Sequence, residues 1–250
     1  MNRKKPSRRA APEEDEEQMF VERMLALTVR LTRTAMSFPP DLEMASGVIV
    51  PRGSELLVLT AGHIFGGSGP WTLEVKFPGH GTGLYVPLRE VRRVATLDSM
   101  GGRGQAIDVA WGAIDSADVA QALAEHPTLA GQEVELPVYR GSFDGAPKSL
   151  AVYGYASWNR VDIHQSPAIR AGDATWETHM RFCEVRPSDN LYELAVASAG
   201  HGEDHYRGAS GSPIADETGQ IVALVLEGDP ERGRLIGVPL GVFGAVIERG

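Results

Sequence analysis

Apolar residues recur along most of this chain in short segments, and turn residues separate the segments. Between residues 25 and 31 every second residue is apolar, which predicts a half-buried strand that ends before Pro39 and Pro40. Residues 47–50 and 56–60 are apolar runs on either side of a Pro-Arg-Gly turn and predict a hairpin of buried strands. Further apolar segments predict strands at Trp71–Phe77, Leu84–Leu88, Val91–Ala95, Ile107–Ile114, Val134–Tyr139, Leu150–Tyr155, Met180–Val185, Ile221–Leu226 and Leu235–Val238.

Helical patterns are few. Ser116–Glu125 predicts a short helix with Ser116 as its N-cap, and Leu240–Arg249 predicts a short closing helix. Many short strands, together with 29 glycines and 16 prolines, indicate an all-β barrel or sandwich. No internal repeat is found, and the loop-like stretch Glu125–Gln132 is a candidate midpoint between two halves.

The first 18 residues differ from the rest of the chain in charge. A block of basic residues precedes a block of acidic residues, and no apolar stretch follows the basic block. This pattern predicts a mobile, charged leader at residues 1–18, with a docking or nucleic-acid-binding tail as the alternative. A short helix that starts near Pro12 also fits the acidic residues. The formal net charge of −9 argues against a broad nucleic-acid-binding surface.

The single cysteine and the lack of long apolar runs bear on the cellular compartment in which the protein is expected. Cys183 is alone, so no intrachain disulfide forms, and this suits a reducing environment. Its apolar neighbours predict a small, buried side chain. No apolar run approaches the about 18 residues of a membrane span, and the first residues lack a secretory pattern. We therefore expect a cytoplasmic protein with no membrane partner.

Three short segments carry candidate hydrolytic chemistry in the order His, Asp, Ser. They are Leu59–His63, Ile107–Ala110 and Gly208–Pro213. A serine hydroxyl is a poor nucleophile at neutral pH and needs an adjacent base. An imidazole can take and return a proton, and a carboxylate on its other nitrogen fixes the tautomer and stabilises the imidazolium. Ser210, His63 and Asp108 are the candidates for these roles.

These motifs resemble those of the chymotrypsin/trypsin-like serine peptidases, especially the disulfide-free bacterial branch. Thr-Ala-Gly-His ends at His63, Asp-Val-Ala begins at Asp108, and Gly-Ala-Ser-Gly-Ser-Pro contains Ser210. The resemblance covers roughly residues 25–245, and the spacing suits two barrels of about 100 residues each. It implies an all-β fold of two six-stranded antiparallel β-barrels, with residues 19–128 forming the first and residues 129–250 the second. The specificity pocket would belong to the second barrel.

The resemblance also implies a serine endopeptidase that forms an acyl-enzyme at Ser210. The backbone N–H groups of Gly208 and Ser210 would form the oxyanion hole. A polypeptide is the implied substrate, and no cofactor or metal is needed. An activating protein partner fits the charged leader and the absent disulfides, although neither feature requires one.

Two departures from the family pattern bear on activation and specificity. Ala209 stands where zymogen-activated members have an aspartate that pairs with a new N-terminal amine, so we expect no activation by N-terminal insertion. By position, the pocket is expected at about residues 204–207 and 225–228, with Val225 arguing against glutamate preference. Asp204 and Glu227 favour basic substrate side chains, unless they are only solvated loop charges. The candidate substrate-binding residues are Asp204, Arg207, Leu226, Glu227 and Gly228.

Other interpretations of the same residues stay open. His201 and His205 flank two acidic residues, which suggests a metal site, but Gly202 weakens the helix that such a site needs, and a polar loop explains the cluster as well. A catalytically silent trypsin-like binding module is an alternative function, because a fold does not guarantee activity. An acyl hydrolase that cleaves esters with the same triad is another.

Overall fold

Two antiparallel β-sheets make up most of the chain in the computed structural model. The structure describes residues 11–35, 41–66, 69–76, 83–97, 103–126, 134–143, 145–148, 151–160, 172–196 and 203–241. The strands are β1 (Thr28–Ala35), β2 (Asp41–Arg52), β3 (Glu55–Ala61), β4 (Thr72–Lys76), β5 (Gly83–Pro87), β6 (Arg89–Leu97), β7 (Arg103–Ile114), β8 (Val152–Arg160), β9 (Gly172–Val185), β10 (Tyr192–Ala195), β11 (Pro213–Asp216), β12 (Ile221–Asp229) and β13 (Arg234–Pro239). The helices are α1 (Ala11–Leu27) and α2 (Ser116–Glu125), and two 3₁₀ helices span Gly62–Gly66 and Glu203–Tyr206.

The two sheets differ in closure. The first has seven strands in the order β5-β4-β1-β2-β3-β7-β6, and the second is a closed barrel in the order β10-β13-β12-β11-β8-β9. The all-β prediction is therefore confirmed, and so is the six-stranded second barrel. The first sheet has one strand more than predicted and is open within the part of the chain that the structure describes.

The helix α1 agrees with one expectation for the N-terminal region and corrects another. Residues 11–18 belong to this helix, as expected for a helix that starts near Pro12, and residues 1–10 of the predicted leader lie outside the described residues. The strand predicted from residue 25 begins only at Thr28. Val21 and Met24 are buried at helical spacing, so the helix continues through the first residues of the period-two pattern. The Thr28 hydroxyl then donates to the Met24 carbonyl oxygen at 2.8 Å and satisfies an acceptor at the helix end.

Most other predicted strands are present with shifted ends, and two local predictions fail. No strand forms at Val134–Tyr139, where Val138 makes only an isolated parallel bridge to Ile49. Pro137 lacks the N–H that a strand ladder needs. Asp115, not Ser116, is the N-cap of α2, because its side chain accepts from the Ala117 N–H. Strands β10 and β11 are additions to the prediction, and the closing helix lies outside the described residues beyond Gly241.

The apolar core has two parts. The larger part contains buried side chains of the first sheet and extends to α1 and to some residues of the second barrel. The smaller part lies inside the second barrel, around Tyr155, Met180 and Leu235. In the described residues no helix is long and apolar enough to cross a membrane.

Candidate active site

The pairing of β3 with β7 brings the predicted histidine and aspartate together. Ala61 at the end of β3 lies opposite Val109 on β7. His63 follows in the 3₁₀ helix that begins directly after β3, and Asp108 precedes Val109 on β7. Ser210 lies in the second half of the chain, in the turn between the second 3₁₀ helix and β11. The structure thus brings the three residues to one place.

A continuous line of hydrogen bonds joins the three side chains. His63 Nδ1 lies 2.7 Å from Asp108 Oδ2. His63 Nε2 lies 3.0 Å from Ser210 Oγ. The side chains of His63 and Asp108 are 48% and 40% exposed, so the site is open to solvent and to a substrate. An imidazole in this position can move a proton between a hydroxyl and a second group while the carboxylate holds its orientation.

The electrostatics of the site keep Asp108 ionised. Burial alone raises the pKa of this carboxyl, but hydrogen bonds from the His63 side chain and backbone, the His63 charge and the Arg93 charge together outweigh burial and lower the pKa below its ordinary value. Asp108 can therefore accept a proton in a hydrogen bond from His63 without itself taking it up near neutral pH.

The residue before the histidine approaches the carboxylate closely. A Cβ placed on Gly62 would lie 2.9 Å from Asp108 Oδ1 and 3.1 Å from the Val109 nitrogen. The close approach of Asp108 explains why glycine, which has no Cβ, suits this position.

Two glycines shape the loop that carries Ser210. Gly208 and Gly211 both have φ of +85°, a conformation that glycine adopts without steric cost. A Cβ on Gly211 would lie 2.1 Å from the Ser46 carbonyl oxygen and 2.2 Å from Thr60 Oγ1. Gly211 therefore lets the loop pack directly on strands β2 and β3 of the first sheet.

Ser46 on β2 holds this loop, and sequence analysis did not identify it. Its hydroxyl donates to the Gly208 carbonyl oxygen at 2.9 Å, and its backbone N–H donates to the Ser210 carbonyl oxygen at 2.9 Å. Thr60 Oγ1 donates to the Ser46 carbonyl oxygen at 2.7 Å. The available signal was a polar residue inside an apolar strand, since Ser46 is fully buried.

The residues around the nucleophile position are ordered without an ion pair at Ala209. This alanine is buried, its N–H donates to the Tyr206 carbonyl oxygen, and its own carbonyl accepts from the Ser212 N–H. The Ser212 hydroxyl is buried and has no hydrogen-bond partner among the described residues. Activation without N-terminal insertion stays a prediction.

The candidate substrate-binding residues flank Ser210 on two sides. Arg207 precedes the loop and is exposed. Leu226 on β12 is buried, and its carbonyl oxygen accepts a 3.4 Å hydrogen bond from Ser210 Oγ. Glu227 is exposed, and Gly228 lies against Tyr206. The side chain of Asp204 lies outside the described residues.

The described residues support neither the alternative metal site at His201 and His205 nor the prediction that the Cys183 side chain is buried. His201 lies outside them, and His205 lies 3.2 Å from the Glu177 carboxylate. The described residues contain no group of three potential metal ligands. Cys183 is exposed, which contradicts the buried side chain that its neighbours predicted. Met180 is buried and Phe182 packs against the barrel core, so Cys183 takes the outer face of β9.

Solved structures of serine proteases share this architecture. The active form of the Rv3671c protease from M. tuberculosis superposes with a TM-score of 0.54 at 15% identity, covering 98% of this chain and 92% of that chain. Its inactive form gives 0.50 at 16% identity, covering 92% and 91%. The serine endoprotease from Yersinia pestis gives 0.54 at 14% identity, covering 93% of this chain and 65% of that chain. No protein family model and no curated protein sequence matches the chain.

At such low sequence identity the similarity shows a shared fold alone, and this fold agrees with the two sheets described above. The closed second barrel and the first sheet occur together along nearly the whole chain. The chain therefore has the two-barrel fold of the chymotrypsin-like serine proteases.

Proposed function

We propose that this protein is a serine endopeptidase that cleaves polypeptides through an acyl-enzyme at Ser210. One observation carries the proposal. Asp108, His63 and Ser210 form an unbroken line of hydrogen bonds of 2.7 and 3.0 Å, in a fold that serine proteases share. The same three residues were identified independently from sequence motifs.

The first chemical step follows from this line. Ser210 Oγ attacks the carbonyl carbon of the scissile peptide bond while His63 Nε2 accepts the hydroxyl proton. Asp108 accepts the hydrogen bond from His63 Nδ1–H, which leaves Nε2 unprotonated and ready to act as the base. The carboxylate also stabilises the imidazolium that forms.

The proposed oxyanion hole consists of the backbone N–H groups of Gly208 and Ser210. Two features support it. The positive φ of Gly208 gives the sharp turn that such a loop needs. Ser46 fixes the carbonyl groups of Gly208 and Ser210, and with them the peptide planes next to both donors. Donors fixed in advance stabilise a developing oxyanion without reorganisation during the reaction.

The remaining steps regenerate the serine. His63 gives its proton to the leaving amine, the C–N bond breaks, and an acyl ester remains on Ser210. A water molecule then loses a proton to His63 and attacks the ester carbonyl, and His63 returns the proton to Ser210 Oγ as the acid product leaves.

Hydrolysis assays separate this function from its alternatives. Purified protein is incubated with an unstructured polypeptide such as casein and with a p-nitrophenyl ester, beside Ser210→Ala and a surface control, Ser188→Ala. We expect wild-type protein and the control to cleave both substrates, and Ser210→Ala to cleave neither. Cleavage of the ester alone would indicate an acyl hydrolase, and cleavage of neither by the wild type would favour a silent binding module.

Activation by a protein partner stays a prediction, and the same assay with added cell lysate tests it.

A further inference from the structure

Under the proposed function, the substrate side chain is expected, from the family resemblance, to lie beside Ser210 between two segments. One is the 3₁₀ helix Glu203–Tyr206, which ends four residues before Ser210. The other is β12, where the Leu226 carbonyl oxygen accepts from Ser210 Oγ and Gly228 follows two residues later. In an acyl-enzyme at Ser210, the side chain next to the attacked carbonyl, called P1, enters between these segments.

The ring of Tyr206 occupies this space. A Cβ placed on Gly228 would lie 2.7 Å from Tyr206 Cγ, 2.9 Å from Cδ1 and 3.0 Å from Cδ2. These nearly equal distances mean that the face of the ring covers the Gly228 Cα. The absence of a side chain at residue 228, which would ordinarily leave a pocket open, here makes room for the side chain of Tyr206.

Contacts at the far end of the ring hold it in place. The Tyr206 hydroxyl hydrogen-bonds Glu177 of β9, whose side chain is only 1% exposed. His205 packs edge-to-face on the ring, with centroids 5.1 Å apart and planes at 88°. Burial, the Glu177 charge and this hydrogen bond raise the pKa of Tyr206 to about 12. The hydroxyl therefore stays a hydrogen-bond donor to Glu177 at every pH near neutrality.

We propose that Tyr206 is the specificity-determining residue of this site and restricts P1 to small side chains such as glycine, alanine and serine. The inference rests on the proposed function, because P1 has meaning only for acyl transfer at Ser210. It replaces the expectation of basic P1 residues. The Glu227 side chain is exposed, so water screens its charge, and a long basic side chain needs the room that the ring fills.

The test uses two tripeptide diphenyl phosphonates that differ only at P1, which is alanine or phenylalanine. Ser210 Oγ forms a bond to phosphorus, phenoxide leaves, and the serine proton passes through His63 to give phenol. The measured quantity is the second-order rate of this reaction for wild-type protein, Tyr206→Ala, Tyr206→Phe and a truncation control, Tyr85→Ala. Tyr85 is an exposed tyrosine on β5 of the first sheet.

We expect wild-type protein to prefer the alanine probe by about tenfold or more. Tyr206→Ala raises the ratio of the phenylalanine-probe rate to the alanine-probe rate by about tenfold or more. Tyr206→Phe keeps the ring on Gly228 and therefore keeps the wild-type preference, as does Tyr85→Ala. If the Ala variant fails to fold, the wild-type preference between the two probes still tests the proposal.

A small ethoxy fluorophosphonate, which has no P1 side chain, separates the two proposals. Labelling of wild-type protein by this reagent, together with equal rates for the two tripeptide probes, would overturn the role of Tyr206 and leave the proposed function intact. Labelling without reaction of either tripeptide probe would also overturn it, because the alanine probe is expected to fit. No labelling at all would contradict the proposed function itself.

Discussion

The backbone N–H of Ser46 donates a 2.9 Å hydrogen bond to the carbonyl oxygen of Ser210. Ser46 belongs to the first sheet, whereas Ser210 lies in the turn that leads into the second barrel. The Ser46 side chain makes a second bond to the same loop, at the Gly208 carbonyl oxygen. The loop is therefore held by contacts with the first sheet, which place it beside His63 in the 3₁₀ helix after β3.

The Ser46 hydroxyl is expected to act as a positioning group for the nucleophile loop. Ser46→Ala removes the bond to Gly208 but keeps the backbone bond to Ser210. We expect kcat/KM to fall about tenfold, mainly through kcat, while the free energy of unfolding falls by only about 1 kcal/mol. The control is Ser54→Ala in the exposed turn between β2 and β3, which should change neither. A loss of kcat/KM that only follows loss of folded protein would contradict a positioning role.

Replacement of Gly211 tests the close packing of the loop on the first sheet. Gly211→Ala places a Cβ against the Ser46 carbonyl oxygen and Thr60 Oγ1, in addition to the cost of a positive φ. Gly233→Ala is the matched control, because Gly233 has φ of +60° and open space around it. We expect a loss of about 1 kcal/mol for Gly233→Ala and several times more for Gly211→Ala, measured by urea unfolding. Equal losses would mean that the packing contributes nothing.

Removal of the charge at residue 108 tests the orientation of His63. Asp108→Asn keeps the shape of the side chain but removes the carboxylate that accepts the Nδ1 proton. We expect kcat to fall by about 10³–10⁴-fold with the fold unchanged. Asp115→Asn, which keeps the N-cap of α2, is the control and should leave kcat unchanged. A fall of less than tenfold in Asp108→Asn would contradict the proposed role.

On the acid side of the pH profile, the acylation rate should depend on the binding of one proton. The lowered pKa of Asp108 means that its charged form persists to lower pH than that of an ordinary carboxyl, so Asp108 stays ionised over the measured range. Since a protonated imidazole cannot accept the Ser210 proton, kcat/KM should fall as pH decreases, with a limiting slope of about one in log kcat/KM against pH. The profile is measured between about pH 5 and 8 with one substrate. A flat profile, or a slope near two, would contradict this assignment.

Sequence motifs identified the residues of the site because local chemistry and local structure coincide there. A histidine after an apolar strand and a serine among glycines are each readable from a few neighbouring residues. The boundary of α1 was missed because the alternation between residues 25 and 31 overlaps the end of a helix whose buried positions, Val21 and Met24, precede it. The failed strand at residues 134–139 shows that Pro137 outweighs an apolar pattern.

Residues that act through distant contacts were not predictable in the same way. Ser46 bonds to Gly208, which lies 162 positions away in the sequence, and no local pattern predicts such a bond. Tyr206 covers Gly228 only because the second barrel closes and brings the 3₁₀ helix against β12. Both depend on tertiary packing, whereas the motifs around His63, Asp108 and Ser210 do not.

Mapping the site of fluorophosphonate modification tests the central claim most directly. The protein is labelled, digested and analysed by mass spectrometry, beside His63→Ala as a variant that keeps the serine but lacks the base. The account predicts one adduct per molecule, located on Ser210, and a rate of formation that falls by about 10³-fold or more in His63→Ala. An adduct on another residue, or labelling of Ser210 that does not depend on His63, would contradict it.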